Sequence, residues 1–211
     1  MKTHKFIAAL VADDVAVVPH QSMLWRAAAV AVLAAATAFF LLLYPRPDFM
    51  QAIRTVRFDF KFVVTLSLAA SAFVSLRHGV RPEMGEKPLK ATLLIVPALL
   101  SVAVVLELIT VPSAYWVARW FGQNWLYCMA FIPALSLGPL AVLLIALRSG
   151  ASTAPGRAGA FAGLLAGGIG AAFYAAHCPD DSPLFVASWY TIAIGIVTGL
   201  GALGGRRFLR W

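Results

Sequence analysis

Along this chain, hydrophobic residues come in long runs, and polar residues gather in short clusters between them. Six runs are long enough for helices that cross a hydrocarbon core of about 30 Å. They lie near 25–44, 61–77, 91–110, 126–147, 158–176 and 185–204, the second being the shortest. Breakers or charges close each one: Pro45-Arg46-Pro47, Arg77-His78-Gly79, Pro112, Arg148-Ser149-Gly150, the cluster His177-Cys178-Pro179-Asp180-Asp181-Ser182-Pro183, and Gly204-Gly205-Arg206-Arg207. The pattern predicts an all-α integral membrane bundle of six transmembrane helices over 25–204. A cytoplasmic segment 1–24 would precede it and a basic tail 205–211 would follow. Within the leading segment, Phe6, Ile7, Leu10 and Val11 fall at helical spacing and Asp13-Asp14 ends the run. This predicts a short amphipathic helix that lies on a membrane or enters a partner's groove.

Composition agrees. Of 211 residues, 61% are hydrophobic and 12% charged, where a soluble domain carries about 25% charge. The start lacks the basic, apolar, small-residue order of a signal peptide, so the first run is expected to remain. A net charge of +8 could point to nucleic acid. Here the cations sit in loops between apolar runs, where they set topology, so no direct nucleic-acid contact is expected.

Six crossings put both termini on one side. That side carries Lys2, Lys5, Arg26, Arg77, Arg81, Lys87, Lys90, Arg148, Arg157, Arg206, Arg207 and Arg210. The other side has Arg46, Arg54, Arg57, Lys61 and Arg119. The excess predicts cytoplasmic termini, although the four cations of the first loop run against their own placement outside. Tyr115, Trp116, Trp120, Trp125, Tyr127, Trp189 and Tyr190 would anchor the outer headgroup zone, and Trp25 and Trp211 the inner one. Gly159, Gly163 and Gly167, then Gly195 with Gly199 and Gly201 with Gly205, recur every fourth residue. They predict close packing of the last two helices.

Candidate chemistry centres on Cys128 and Cys178, the chain's two cysteines. Threaded through a bilayer, both come out at the same outer rim. Three readings stand side by side: small buried hydrophobes, a disulfide-forming pair in an oxidising compartment, or a soft-metal site in which His177, Asp180 and Asp181 join the two thiols. Ser182 or Asp181, with Pro183 after it, also suits a helix start. Glu107 is an acidic residue within a run and hence a secondary functional candidate; about a turn from the interface, it would otherwise snorkel outward or pair with Arg119. Asp48, and Asp59 beside Lys61, read as interfacial charge. No glycine-rich phosphate loop or catalytic triad pattern is present. A Cys-x-x-Cys pair, which a thiol-disulfide oxidoreductase favours, is also missing. A small transporter would favour broken helices and midplane charges in repeated halves.

The residues Met1-Lys2-Thr3 with Leu10 and Asp13, Tyr44-Pro45-Arg46-Pro47-Asp48, and Cys128 with Ile132-Pro133 and Leu135-Ser136-Leu137 form a set spread over the whole chain. The His177–Pro183 cluster, Trp189-Tyr190 and the closing Gly205-Arg206-Arg207-Phe208-Leu209-Arg210-Trp211 complete it. Together they resemble the NrsF family, six-helix membrane proteins that restrain an extracytoplasmic-function sigma factor; the His177–Pro183 cluster is the most specific part. The resemblance implies a non-enzymatic, multi-pass protein of the bacterial inner membrane. It would hold its sigma factor inactive and release it when Cys128 and Cys178 sense heavy-metal or oxidative stress. It implies no tightly bound cofactor, and at most a transient heavy-metal ion at the cysteine pair.

Overall fold

A computed structural model describes residues 20–79, 87–150 and 154–209. The leading segment with Phe6, Ile7, Leu10 and Val11 lies outside the described residues, as does Trp211. The described chain is helical, with no strand: α1 (His20–Leu42), the single turn α2 (Phe49–Ala52), α3 (Val56–Gly79), α4 (Lys87–Thr110), α5 (Trp116–Phe121), α6 (Trp125–Arg148) and α7 (Pro155–Ala175). The last helix, α8 (Pro183–Phe208), is α-helical except at Val186–Tyr190, where it widens into a π-helical turn.

Five segments are long and apolar enough to cross a membrane: Ser22–Leu42, Val56–Arg77, Ser113–Arg148, Pro155–Ala175 and Pro183–Phe208. In α4, Leu94–Thr110 forms a shorter apolar stretch. The six hydrophobic runs thus correspond to six helices. The second was expected as the shortest, over 61–77. It instead begins at Val56, because Arg57, Asp59 and Lys61 are carried on its first turns. This shift takes Lys61 from the rim into the bundle.

Helix α7 is the centre of the assembly, and its composition explains why. Gly159, Gly163 and Gly167 face α8, Gly168 faces Ala69 of α3, and Gly170 faces Ile132 and Ser136 of α6. A Cβ on Gly159 would run into the carbonyl of Gly201, one on Gly201 into the carbonyl of Gly159, and one on Gly205 into the carbonyl of Pro155. Backbones this close gain dispersion contacts along their whole length, which lipid tails cannot supply. The expected pairing of the last two helices therefore holds through Gly159, Gly163, Gly167, Gly201 and Gly205. Gly195 and Gly199 share the spacing but not the face: nothing lies within 4 Å of a Cβ built on either.

Two hydrophobic clusters mark the two ends of the bundle. One joins Leu24, Leu76, Leu147 and Leu209 around Ala162 and Leu165. The other gathers Phe39, Val64, Cys128, Tyr174, Cys178, Phe185 and Tyr190. We call these the arginine end and the cysteine end. Around the first lie Arg26, Arg77, Arg148, Arg157, Arg206 and Arg207, with no acidic residue among the described ones there.

The glycine contacts make a direct prediction. Gly201→Val should lower the thermal unfolding midpoint of the purified protein in detergent, with an overpacking cost of at least about 1–3 kcal/mol. Gly199→Ala, on the open face of the same helix, should leave it unchanged or raise it slightly.

Candidate functional site

The segment from His177 to Pro183 links α7 to α8, and every charged side chain in it is tied to a different element. His177 donates its Nδ1–H to the carbonyl of Tyr44 at 2.8 Å. The Arg46 amide donates to the carbonyl of Ala176 at 3.1 Å. These two bonds stitch the first loop to the end of α7. Tyr44 is held in the left-handed region at φ 69°, a conformation that costs a non-glycine residue on the order of 1 kcal/mol.

Asp181 lies between two cations. Its Oδ1 is 2.5 Å from Lys61 Nζ and its Oδ2 is 3.0 Å from Arg46 Nη1. Lys61 also donates to the carbonyl of Cys178 at 2.7 Å. Its side chain is completely buried, the lone lysine in that position among the described residues. An ammonium so placed is tolerable only with its counterion and further acceptors in hand, and Asp181 and the Cys178 carbonyl supply both. Arg46 in turn pairs with Asp48 at 2.6 Å. The two ionic contacts raise the Arg46 guanidinium above its ordinary value, and Arg46 holds the Asp48 carboxyl below the usual range.

Asp180 does different work. Its carboxylate accepts from the amides of Gln123 and Asn124 and from the Asn124 side chain, at 2.9–3.3 Å. Asn124 stands at the N-cap position of α6 but makes no side-chain cap bond, so Asp180 caps this helix from across the loop. The approach needs Gly122 at φ 57°, where a Cβ would collide with Asp180 and Phe185.

Glu107 repeats the device for α8. Its Oε2 accepts from Ser182 Oγ at 2.7 Å and from the Leu184 amide at 3.1 Å. Ser182 occupies the N-cap position and Pro183 the first turn, as the sequence suggested, yet neither Ser182 nor Asp181 caps the helix. A carboxylate from α4 does so instead. Glu107 Oε1 meets Arg119 at 2.9 Å, the expected partner, and Arg57 at 3.9 Å.

This end carries five cations, Arg46, Arg54, Arg57, Lys61 and Arg119, and five carboxylates, Asp48, Asp59, Glu107, Asp180 and Asp181. That balance accounts for the crowd of positive residues in the first loop. The aromatics divide. Trp120 donates to Ser188 Oγ at 2.7 Å and Trp189 to the Trp120 carbonyl at 2.8 Å, while Trp125 packs on Trp189 with ring centres 5.0 Å apart. Tyr190, expected as a headgroup anchor, is instead buried.

Cys128 and Cys178 are both free and fully buried in one cluster. Tyr174 and Tyr190 pack together beside them, ring centres 5.9 Å apart, and each hydroxyl is buried without a well-formed hydrogen bond. Burial pushes the Cys178 thiol above its ordinary range, while the Lys61 ammonium pulls it back. The five-residue metal set is not assembled: His177, Asp180 and Asp181 are spent on Tyr44, on the Gln123–Asn124 amides, and on Lys61 and Arg46. Among the described residues, no group of three or more histidine, cysteine or acidic side chains is arranged to hold a metal ion.

The residue that sequence reasoning missed is Lys61, set down as interfacial charge. Arg57, Lys61 and Thr65 recur every fourth position, a polar stripe within an apolar run that could have flagged an inward face.

Fold and site together define a helical bundle with five segments long and apolar enough to cross a membrane, closed at one end by an ionic hub over two thiols. The comparisons make the class specific. The chain belongs to the NrsF family, described as negative regulator of sigma F, whose profile matches residues 10–211. It is 33% identical over 190 residues to the anti-sigma-F factor NrsF of Caulobacter vibrioides, covering 88% of this chain and 89% of that one. It is 38% identical over 91 residues to the probable anti-sigma-F factor NrsF of Azospira oryzae, 43% of each chain. No solved structure matches.

Two outcomes are expected. Lys61→Met leaves the Cys178 carbonyl with only a long contact from Arg46 Nη1 at 3.5 Å, and Asp181 with Arg46 alone. It should cost about 3 kcal/mol in denaturant unfolding, part of which Lys61→Met with Asp181→Asn should recover. In a Cys128→Ser background, alkylation of Cys178 by N-ethylmaleimide should still accelerate with pH beyond about 8.5, the ordinary thiol value. Unfolded protein should level off there.

Proposed function

We propose that this protein is a non-enzymatic anti-sigma factor of the bacterial inner membrane. It holds an extracytoplasmic-function sigma factor at its arginine end, in the cytoplasm, and lets it go when Cys128 and Cys178, at the opposite face, are oxidised or take up a soft metal. Family membership supports the sigma-factor partner. The observation that carries the sensing step is that both cysteines are free and share one buried cluster, directly under a loop closed by ion pairs.

The chemistry follows from that burial. In the oxidative branch the two thiols lose two protons and two electrons to an oxidant such as a disulfide reagent, and one S–S bond forms. Neither sulfur is exposed, so the reagent reaches them only when the His177–Pro183 segment lifts. Lifting separates Asp181 from Lys61 and Arg46. A soft metal would find two thiolates and no carboxylate, since Asp180 and Asp181 are otherwise engaged. Either product fixes the opened arrangement.

Helices α6 and α7 carry the change to the other end, where the arginines meet the client. To invert the populations, the modification must favour the released state by a few kcal/mol. The intact hub sets the cost of release without a signal.

Affinity capture of the full-length protein from membranes tests this. A sigma factor should co-purify, and should leave when diamide or cadmium is added. Cys128→Ser with Cys178→Ser should retain the partner under both challenges. Normal release from the double variant would rule out the thiol step; no sigma factor in the untreated capture would rule out the function.

A further inference from the structure

Helix α4 meets the bundle closely at its cysteine end and stands off further along. Between α3, α4 and α8 this leaves an apolar groove of about 650 Å³, within the range that holds a small-molecule ligand. Pro97 and Ser101 of α4 and Thr191 and Gly195 of α8 are exposed along it, so it opens on the flank of the bundle. Three of its polar side chains are satisfied within their own helices: Thr65 donates to the Lys61 carbonyl, Ser101 to Pro97 and Thr198 to Ile194. Apart from these, Tyr190 and Thr191, the walls are hydrocarbon.

The upper end of the groove is different. On α4, Val104 lines the groove and Glu107 follows one turn later; on α3, Val64 lines it and Arg57 precedes it by two turns on the same face. By helix rise the Glu107–Arg57–Arg119 bridge lies roughly 5–10 Å beyond the apolar walls. Arg57 and Arg119 share the single carboxylate of Glu107, at 3.9 and 2.9 Å. Both keep part of their guanidinium exposed, with side chains 46% and 35% accessible, and both line a polar cleft of about 630 Å³ above the bridge. The other carboxylates of that cleft are committed, Asp180 to backbone amides and Asp181 to Lys61 and Arg46. Two partly exposed guanidinium groups thus share one carboxylate at the head of a hydrocarbon slot.

We propose that the groove is a binding site for one anionic phospholipid, with an acyl chain between α3, α4 and α8 and the phosphate at Arg57 and Arg119. The exposed N–H edges of Arg57 and Arg119 suit a phosphate, as basic pockets between membrane helices do elsewhere. Gly195 leaves the slot open at its middle. The bound chain lies against Val186 and Tyr190, where α8 widens into its π-helical turn. The lipid would thus brace the wall that covers the thiols. The inference rests on the bundle spanning a bilayer and is independent of the sigma-factor reading.

Native mass spectrometry of the full-length protein in detergent, titrated with dioleoylphosphatidylglycerol or dioleoylphosphatidylcholine, tests it. One phosphatidylglycerol should bind in preference to phosphatidylcholine, by roughly fivefold per arginine. Arg57→Gln should reduce that preference while Glu107 keeps Arg119. Gly195→Phe should abolish the saturable site for both lipids, because the added ring fills space in which no atom lies near its Cβ. If Gly195→Phe does not accumulate, Ser101→Leu narrows the same slot from α4. Equal binding of the two lipids by the wild type, or an unchanged saturable site in the groove variants, would overturn the proposal. Binding of inorganic phosphate that displaces no lipid would reassign the arginines to a free anion and overturn it equally.

Discussion

A lysine ammonium with no exposure to solvent sets the terms for the whole cysteine end. Removing such a charge from water costs several kcal/mol unless charge and hydrogen bonds are returned to it. Lys61 recovers both from one short segment, the Asp181 carboxylate and the Cys178 carbonyl. The segment between α7 and α8 therefore cannot move without exposing a cost, and the position of Cys178 is fixed through its own backbone. Asp180 and Glu107 extend the same logic by capping α6 and α8 from outside those helices. Four helices are thus tied at one point by groups that would each be expensive to leave alone.

The opposite constraint acts at the other faces of α7. There the helices are held by close approach of their backbones. Gly159 and Gly201 pack carbonyl against Cα, an arrangement that tolerates no side chain. The two ends consequently differ in kind. The glycine seam is held by backbone contact, and the ionic hub by paired charges.

Much of this was legible in the sequence. Six helices follow from hydrophobic runs bounded by proline, glycine and arginine, and the close approach of the last two follows from glycines at every fourth position. The His177–Pro183 cluster stood out as the polar centre, and Glu107 with Arg119 was anticipated as a pair. What could not be read were partners distant along the chain. Nothing local says that Asp180 turns to Gln123 and Asn124, or that Glu107 reaches Ser182 across 75 positions. Lys61 was misplaced because hydropathy ends a span at its charges, whereas a charge with an internal counterion can sit inside one. Gly195 and Gly199 match the spacing of the packing glycines, and only the rotation of α8 decides which pair faces a neighbour. The metal set is not drawn together for a related reason: adjacency in sequence puts His177, Asp180 and Asp181 beside Cys178, but each side chain is engaged by a partner distant along the chain.

The account requires the cysteine end and the arginine end to lie in different compartments, since a signal arrives at one and a client is held at the other. In a variant lacking Cys128 and Cys178, single cysteines placed at the exposed positions Pro179 and Ser149 report each end directly. With a membrane-impermeant maleimide on intact spheroplasts, Pro179→Cys should label at once and Ser149→Cys only after lysis. Labelling of Ser149→Cys in intact cells, with Pro179→Cys protected until lysis, would turn the bundle over and contradict the mechanism.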